Sequence, residues 1–395
     1  MVRAATEGYH AWRRARPAND YEAFRPSLER HMELRQRYVE CFPGADEPYD
    51  VLLDDYERGM KSAEVRVVFD RLKEELVPLI AEASEAYGAD EGILGRSFPI
   101  DGQIALAQEV LELFGHRENA WRLDPTAHPF ASGGGIDDVR ITTKYEPTGL
   151  ESLFATMHEY GHGLYEHQVA PELERTPLGA GVSLGLHESQ SRMWENLVGR
   201  SRGFWRFFYG RLQERFPEQL GDVDEERWYR TVNRVQPSLI RIAADEITYN
   251  MHIILRFELE QDILAGTVDL RELPSVWNER MEQYLSIEVP SDADGVLQDM
   301  HWGAGTIGYF STYSLGNVMS VQIWERIQDD LPDLEEQVER GEFAPLREWL
   351  GEHLHRHGRK FGPKGTLERV VGGPLDPEPY LRYLKQKHGA AALAG

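Results

Sequence analysis

Apolar residues recur every three or four positions along most of the chain, within a strongly charged background. The pattern is nearly continuous from Asp20 to Ala89, where a typical stretch reads VRVVFDRLKEELVPLIAEASEAY, and this spacing predicts amphipathic helices. Four later stretches follow it, namely DGQIALAQEVLELFGH, ENLVGRSRGFWRFFYGRLQERF, EITYNMHIILRFELEQDILAG and SVQIWERIQDDL. The sequence therefore predicts a mainly α fold.

One segment departs from the helical spacing. Residues 137–146, DDVRITTKYE, alternate β-branched and polar side chains, which predicts a strand. The preceding SGGG lacks the Gly-Lys-Ser/Thr ending of a phosphate-binding loop and is interpreted as a flexible connection. No fixed-period repeat or Pro/Ser-rich linker is evident, so we interpret residues 1–395 as one domain. Its helical parts would be 1–120 and 321–395, around a central part at 121–320 that carries the candidate chemistry.

The acidic composition limits the possible partners. The 395 residues carry a formal net charge of -24, which argues against binding to nucleic acid or anionic membranes through phosphates. Cys41 is the single cysteine, so no internal disulfide can form and any metal must be held by histidine and carboxylate groups. No apolar run approaches the ~18 residues of a membrane helix, and the amino terminus lacks the apolar core of a signal peptide. A cytoplasmic location is expected.

The clearest chemical signal is the stretch MHEYGH at residues 157–162. On a helix, positions i and i+4 share one face, so His158 and His162 can both present a nitrogen to one ion, beside Glu159. The alternative is a polar turn of a structural helix, because a chain with 14 histidines can contain this motif by chance. The glycines of EYGHG favour the metal, since each glycine inside a helix costs about 1 kcal/mol relative to alanine. Bare backbone there leaves room for substrate or a facing helix.

A catalytic zinc site needs a third protein ligand and leaves the fourth position to water. The histidine that some zinc sites place six residues after His162 is Gln168 here. Glu166 lies one turn further along the same helix and is expected to point past the ion. Glu188, at the start of another helical pattern, is the preferred third ligand, and Glu195 on about the same face is the reserve candidate.

Six short signatures in sequence order resemble those of the carboxypeptidase Taq family of metallocarboxypeptidases. They are HPF at 128–130, DVRIT at 138–142, HEYGH at 158–162, HESQ at 187–190, IRIAAD at 240–245 and GVLQDMHW at 295–302. The helical surroundings and the carboxyl-terminal third are also similar to the family, so the resemblance covers most of the chain. Family members usually carry a longer amino-terminal helical region, and the resemblance implies that this chain starts inside it. The expected effect is on the covering of the cleft, and not on the metal chemistry.

The resemblance implies a gluzincin-like helical fold, usually homodimeric, with a central substrate groove and a small β-sheet beside the metal helix. It implies that His158, His162 and Glu188 hold the metal and that Glu159 takes a proton from the attacking water. Residues 139–145 would hydrogen-bond the substrate backbone, which joins the sheet as an extra strand. The metal would be Zn²⁺, although two histidines and a glutamate also accommodate Co²⁺ or Mn²⁺.

An enzyme that acts at the carboxyl end of a peptide must recognise a free carboxylate, and Arg241 in IRIAADE is the candidate for this contact. A guanidinium group matches a carboxylate through two parallel hydrogen bonds. The alternative is an arginine on a helix face that is solvated or paired, with Asp245 at i+4 as the candidate partner.

Other candidate residues come from the same signatures. Donors for the developing oxyanion are expected among four residues, namely His128, His301, Tyr309 and Tyr313. Asp299 is expected to orient a histidine through a hydrogen bond and not to contact the substrate itself. The histidine-rich GEHLHRHGRK at 351–360 could form a second metal site, but its alternating His and Arg favour a solvated loop or helix end.

The sequence therefore predicts a zinc-dependent metallocarboxypeptidase that releases single residues from peptides with broad specificity. One rival is a related gluzincin that cuts internally or releases dipeptides. A rival from another class is a catalytically silent peptide-binding protein, and the intact Glu159 argues against it. An aminopeptidase is disfavoured because the chain has no GAMEN-type motif.

Overall fold

The computed structural model describes residues 1–87, 92–116 and 119–389. Seventeen α-helices account for most of these residues and confirm the mainly α prediction. The helices are α1 Val2–Ala18, α2 Tyr21–Val39, α3 Pro48–Asp54, α4 Ser62–Tyr87, α5 Ile100–Phe114, α6 Glu151–His167, α7 Leu184–Arg192, α8 Arg202–Arg215, α9 Pro217–Leu220, α10 Glu225–Val232, α11 Thr248–Ala265, α12 Leu273–Leu285, α13 Ser311–Asp330, α14 Leu334–Glu339, α15 Ala344–His353, α16 Pro363–Val371 and α17 Glu378–His388.

The chain divides into two compact units, each assembled from separate segments. The first unit comprises residues 1–87, 235–315 and 381–395, and the second comprises residues 88–234 and 316–380. The division into parts 1–120, 121–320 and 321–395 stays a prediction. No described helix is both long enough and apolar enough to cross a membrane.

The first unit contains the amino-terminal helices that the apolar spacing predicted. Between Asp20 and Tyr87 the chain forms α2, α3 and α4, while residues 88–89 of the predicted stretch lie outside the described residues. Asp20 begins α2 as a cap, because its side chain accepts a hydrogen bond from the backbone of Ala23. Asp50 similarly accepts from the backbone of Ser62 at 2.7 Å, where α4 begins.

The second unit contains a three-stranded sheet beside α6. Its strands are β1 Trp121–Pro125, β2 Ala131–Gly135 and β3 Asp138–Thr143, in the spatial order β1-β3-β2. The predicted strand at 137–146 is therefore confirmed as β3. It pairs in parallel with β1 and antiparallel with β2.

The interpretation of SGGG as a flexible connection is wrong, because its residues belong to β2. A Cβ atom at Gly133 would lie 2.4 Å from the carbonyl oxygen of Asp138, so only glycine allows this close pairing. The register shifts between Gly133 and Gly135 as the chain turns towards β3.

The expected addition of a substrate strand to residues 139–145 is also wrong for the paired part of that segment. β3 is the central strand, so β1 occupies one of its edges and β2 the other. An additional strand in this sheet would have to pair with β1 or β2.

Helix α6 packs closely against the sheet at Gly163, which has no side chain. A Cβ at Gly163 would approach Trp121 and Val139 to 2.8 Å each, closer than real Cβ contacts. The helix continues through Gly161 and Gly163 to His167, as the apolar residues after EYGHG predicted. The two glycines therefore serve close packing and do not end the helix.

Candidate functional site

Helix α6 presents both histidines of HEYGH towards one carboxylate. The Nε2 atoms of His158 and His162 lie 3.7 and 3.6 Å from Oε2 of Glu188. The ligand atoms of these three residues all lie within 4.8 Å of one another, and no second group of this kind occurs among the described residues. The structure thus brings together the three residues that the sequence proposed as ligands.

Close helix packing places Glu188 at this position on α7. A Cβ at Gly161 of α6 would lie 2.4 Å from the carbonyl oxygen of Gln190. A Cβ at Gly316 of α13 would lie 2.6 Å from Cβ of Glu188 itself. The room expected at Gly161 is therefore taken by a facing helix.

Glu195, the reserve ligand, instead contacts the first histidine. Its Oε2 lies 2.8 Å from Nδ1 of His158. After Arg192 the helix continues as a π-helical segment, Met193–Val198, which carries Glu195, and such segments are frequent at functional sites. When Nδ1–H of the neutral imidazole donates to this carboxylate, the lone pair of Nε2 remains available for a metal.

The second histidine is held by a chain of two side chains. Nδ1 of His162 lies 2.8 Å from Nδ1 of His187, and Nε2 of His187 lies 2.7 Å from Oε1 of Glu166. When Nε2 of His162 binds an ion, its Nδ1–H must donate to His187, whose Nε2–H then donates to Glu166. One tautomer of each ring satisfies both hydrogen bonds. Glu166 lies outside the ligand group, as expected.

Glu159 lies between the two histidines in sequence, and its carboxylate is buried. The residue is 5% exposed, and no described residue donates a hydrogen bond to its Oε2. Burial raises the pKa of Glu159 to about 7, against the opposing effect of nearby His158. A buried carboxylate with an unpartnered oxygen is suited to accept a proton from a reacting group.

The donor set fits a divalent transition metal. Two ligands on a tetrahedral zinc ion, with bonds of about 2.0–2.2 Å, lie roughly 3.3 Å apart. The distances of 3.6 and 3.7 Å from Glu188 to the histidines are close to this value. Each histidine also has a hydrogen-bond partner on its other ring nitrogen, the usual support for a metal ligand.

The first unit gathers five other predicted residues in a second cluster. Arg241 lies in a short 3-10 turn, Arg241–Ala243, whereas the alternative interpretation had placed it on the face of an α-helix. Its Nε and Nη2 donate to Oδ1 of Asp299 at 3.0 and 2.8 Å. Its Nη1 donates to the hydroxyl of Tyr249 at 3.1 Å.

Asp299 is shared by two buried arginines. Its Oδ1 accepts from Arg241, and its Oδ2 accepts from Nε of Arg256 at 2.7 Å. These two guanidinium groups hold the pKa of Asp299 well below its ordinary value, although burial acts to raise it. The described residues include no histidine that donates a hydrogen bond to Asp299, contrary to expectation, since Nδ1 of His301 lies 3.8 Å from Oδ1. One carboxylate between two guanidiniums leaves this triad with a net positive charge.

The aromatic candidates line the same cluster. Nε2 of His301 lies 3.3 Å from the hydroxyl of Tyr313, and the rings of Tyr309 and Tyr313 are 5.1 Å apart. The guanidinium carbon of Arg241 lies 5.1 Å from the centroid of the Tyr313 ring. Burial lowers the pKa of His301 to about 4, so this imidazole is neutral at neutral pH.

Two predicted residues lie apart from these clusters. His128 is exposed in the connection between β1 and β2. Asp245 is not the partner of Arg241, because its Oδ1 accepts from the backbone of Ile247 and Thr248 where α11 begins. The suggested Arg241–Asp245 pair assumed a helix that starts only at Thr248.

The histidine-rich segment 351–360 is only partly solvated. His355 is fully buried, with Nδ1 2.7 Å from Oε1 of Gln168 and Nε2 2.8 Å from Oε1 of Gln190. The expectation of a solvated segment is therefore wrong for His355. It belongs to the packing around α6 and α7.

Sequence reasoning missed the residues that contact the three proposed ligands. The sequence patterns assign His187 no role beyond the HESQ signature and assign none to Arg192. Arg192 donates from Nε to Oε1 of Glu188 at 2.8 Å and from Nη1 to Oε2 of Glu195 at 3.1 Å. The sequence does contain a signal for these contacts, because Arg192 follows Glu188 by four residues and precedes Glu195 by three, on one helical face.

Comparisons with known proteins agree with this geometry. The profile of the carboxypeptidase Taq (M32) metallopeptidase family matches residues 1–388. Thermostable carboxypeptidase 1 of Thermus thermophilus is 42% identical, across 99% of this chain and 78% of the relative. Carboxypeptidase 1 of Bacillus subtilis is 37% identical, across 96% of this chain and 76% of the relative.

Solved structures show the same relationship. The M32 carboxypeptidase of Deinococcus radiodurans R1 is similar with a TM-score of 0.96 and 44% identity, covering all of this chain and 80% of that one. A carboxypeptidase of Pyrococcus furiosus has a TM-score of 0.95 and 38% identity, covering 98% of this chain and 78% of that one. The chain therefore belongs to the carboxypeptidase Taq (M32) family and is a metallocarboxypeptidase, a hydrolase of peptide bonds.

Proposed function

We propose that this metallocarboxypeptidase is zinc-dependent and releases single amino acids from the carboxyl end of peptides. The observation that carries the proposal is the convergence of His158, His162 and Glu188 beside the buried carboxylate of Glu159. Two histidines and one carboxylate are a typical donor set of catalytic zinc, and Co²⁺ or Mn²⁺ are possible substitutes. Bound there, the ion would polarise the scissile carbonyl and acidify a water molecule.

The side chains of the second unit then have separate tasks. His158 and His162 would hold the ion through Nε2, and Glu188 would hold it through Oε2. Glu159 accepts the proton of the attacking water and passes it to the leaving amine, which requires an oxygen not already occupied by a hydrogen bond. Glu195 and His187 fix the orientation of the two imidazoles.

Arg241 is proposed to bind the terminal carboxylate of the peptide. Two arginines share the single carboxylate of Asp299, so an additional anion would balance the remaining positive charge. Because Asp299 already occupies Nε and Nη2, a substrate carboxylate must bind through other donors or displace part of this contact. His301, Tyr309 and Tyr313 are proposed to contribute hydrogen bonds to the substrate.

Broad residue specificity, homodimer assembly and a cytoplasmic location stay predictions. Each rival activity would give different products from a peptide. A gluzincin oligopeptidase would release internal fragments, a dipeptidyl carboxypeptidase would release dipeptides, and a silent relative would bind peptides without cleaving them.

The proposal is tested with three versions of one peptide, namely unmodified, acetylated at the amino end and amidated at the carboxyl end. Mass analysis over time should show successive loss of single carboxyl-terminal residues from the first two. The amidated peptide should react much more slowly. A chelator should stop the reaction and added Zn²⁺ should restore it, whereas internal fragments or dipeptide release would contradict the proposed direction of attack.

A further inference from the structure

Arg192 lies between two buried acidic residues at the end of α7. It follows Glu188 by four residues and precedes Glu195 by three, so the three side chains share one helical face. Nε donates to Oε1 of Glu188 at 2.8 Å, and Nη1 donates to Oε2 of Glu195 at 3.1 Å. Both acidic side chains are at most 13% exposed, and that of Arg192 is 15% exposed.

The two carboxylate oxygens of Glu188 have different neighbours. Oε1 accepts from Arg192, while Oε2 lies 3.7 and 3.6 Å from the Nε2 atoms of His158 and His162. The hydroxyl of Ser191 is 3.3 Å from Oε2 but donates at 2.8 Å to the carbonyl of Glu188. Oε2 is therefore the oxygen left to a metal, and Oε1 is turned to the guanidinium.

Through Glu195, Arg192 is also connected to His158, a second proposed ligand. Oε2 of Glu195 accepts from both Arg192 and Nδ1 of His158. Arg192 thus touches one proposed ligand directly and another through a single carboxylate. Arg200 approaches Glu195 from elsewhere, with Nη2 3.6 Å from Oε1. Only Arg192 among the described arginines bridges Glu188 and Glu195.

We propose that Arg192 is a positioning residue that holds Glu188 as a one-oxygen ligand and couples it to the Glu195–His158 pair. This inference rests on the proposed ligand set. A carboxylate that binds through both oxygens fills an additional coordination position. By occupying Oε1, Arg192 keeps that position open for water and substrate, and it thereby sets the coordination number of the metal.

The test compares Arg192→Gln and Arg192→Lys with a control, Arg347→Gln. Arg347 is a partly buried arginine of the same unit whose Nη1 donates to the carbonyl of Phe114 at 2.8 Å, and its side chain has no described ion pair with Glu188 or Glu195. Three quantities are measured: the Zn²⁺ dissociation constant by chelator competition, the visible absorption of the Co²⁺ form, and the Tm of the metal-free protein. The Co²⁺ bands weaken when the coordination number rises above four.

Arg192→Gln should raise the Zn²⁺ dissociation constant roughly 10- to 100-fold and weaken the Co²⁺ bands. Arg192→Lys should give intermediate values, because one ammonium keeps the charge but cannot reproduce the fork of the guanidinium. Zn²⁺ affinity and Co²⁺ bands that match wild type in both Arg192 variants, with only a Tm loss like that of Arg347→Gln, would overturn the inference. Glu188→Ala tests the ligand set on which the inference rests: an unchanged Co²⁺ spectrum in that variant would remove Glu188 from the ligands, whereas the proposed function is tested separately by the products of peptide cleavage.

Discussion

Nδ1 of His158 lies 2.8 Å from Oε2 of Glu195, while Nε2 of the same ring faces Glu188 at 3.7 Å. The imidazole therefore lies between two carboxylates, one at each ring nitrogen. From the sequence, either acid could have been the third ligand, because both lie on about the same helical face. Their different positions relative to His158 and His162 depend on how α7 packs against α6.

Glu195→Gln should lower metal affinity without abolishing binding. The amide can still accept a hydrogen bond from His158, but the charge that strengthens this hydrogen bond is lost. Loss of such a supporting partner typically costs 10- to 100-fold in metal affinity. Titration with Zn²⁺ against a chelator measures the change. A variant that binds no metal at all at saturating Zn²⁺ would make Glu195 a ligand.

Gly161→Ala should destabilise the protein because it places a Cβ 2.4 Å from the carbonyl oxygen of Gln190. Overpacking of this kind costs about 1–3 kcal/mol. Gly210→Ala in α8 is the matched control, since a Cβ there meets nothing within 4 Å and alanine favours the helix by about 1 kcal/mol. Urea unfolding of the metal-free proteins should show opposite signs for the two changes. Equal stabilisation by both would contradict the close contact of α6 with α7.

Local patterns predicted the helices and β3 well, because helical and strand periodicity are properties of neighbouring residues. The sequence did not predict strand β2, because its glycines show no alternation of apolar and polar residues. Their extended conformation is imposed by pairing with β3. The Arg241–Asp299 contact joins residues 58 positions apart, so no local spacing could have revealed it. Arg192 is a different case, because its spacing from Glu188 and Glu195 is visible in the sequence.

Arg241→Ala should selectively impair peptides with a free carboxyl end. A hydrogen-bonded charge pair is worth about 1.5–3 kcal/mol, so kcat/KM for these peptides should fall roughly ten- to a hundredfold. The amidated peptide should lose little further activity. Arg280→Ala is the control, because Arg280 pairs with Asp262 in the same unit and has no proposed contact with substrate. A similar loss on amidated and free peptides would show that Arg241 supports the fold and does not select the carboxylate.

Asp299→Asn should destabilise the first unit in a pH-dependent way. Removing the carboxylate leaves Arg241 and Arg256 buried without their shared counter-charge, at a cost of about 3–5 kcal/mol. The pKa of Asp299 is lowered in the folded state. Its contribution is therefore present in full above the unfolded-state pKa of about 3.9 and is lost progressively as the pH falls from there towards the lower folded-state pKa.

The difference in unfolding free energy between wild type and Asp299→Asn should stay constant from about pH 6 to about pH 5 and then shrink as the pH falls to about 3. Asp262→Asn is the control, since its ion pair with Arg280 is more exposed and is expected to contribute about 1 kcal/mol or less. A gap that stays constant over this range would mean that the Asp299 carboxylate has no lowered pKa in the folded protein.

The ligand set and the base are tested most directly by measuring bound metal and turnover together in Glu188→Ala and Glu159→Gln. Elemental analysis should find about one metal ion per chain in the wild type and in Glu159→Gln, and far less in Glu188→Ala. Turnover of an unmodified peptide should fall by several orders of magnitude in Glu159→Gln despite its full metal content, because the proton acceptor is lost. Full metal content in Glu188→Ala, or near wild-type turnover in metal-loaded Glu159→Gln, would contradict this assignment.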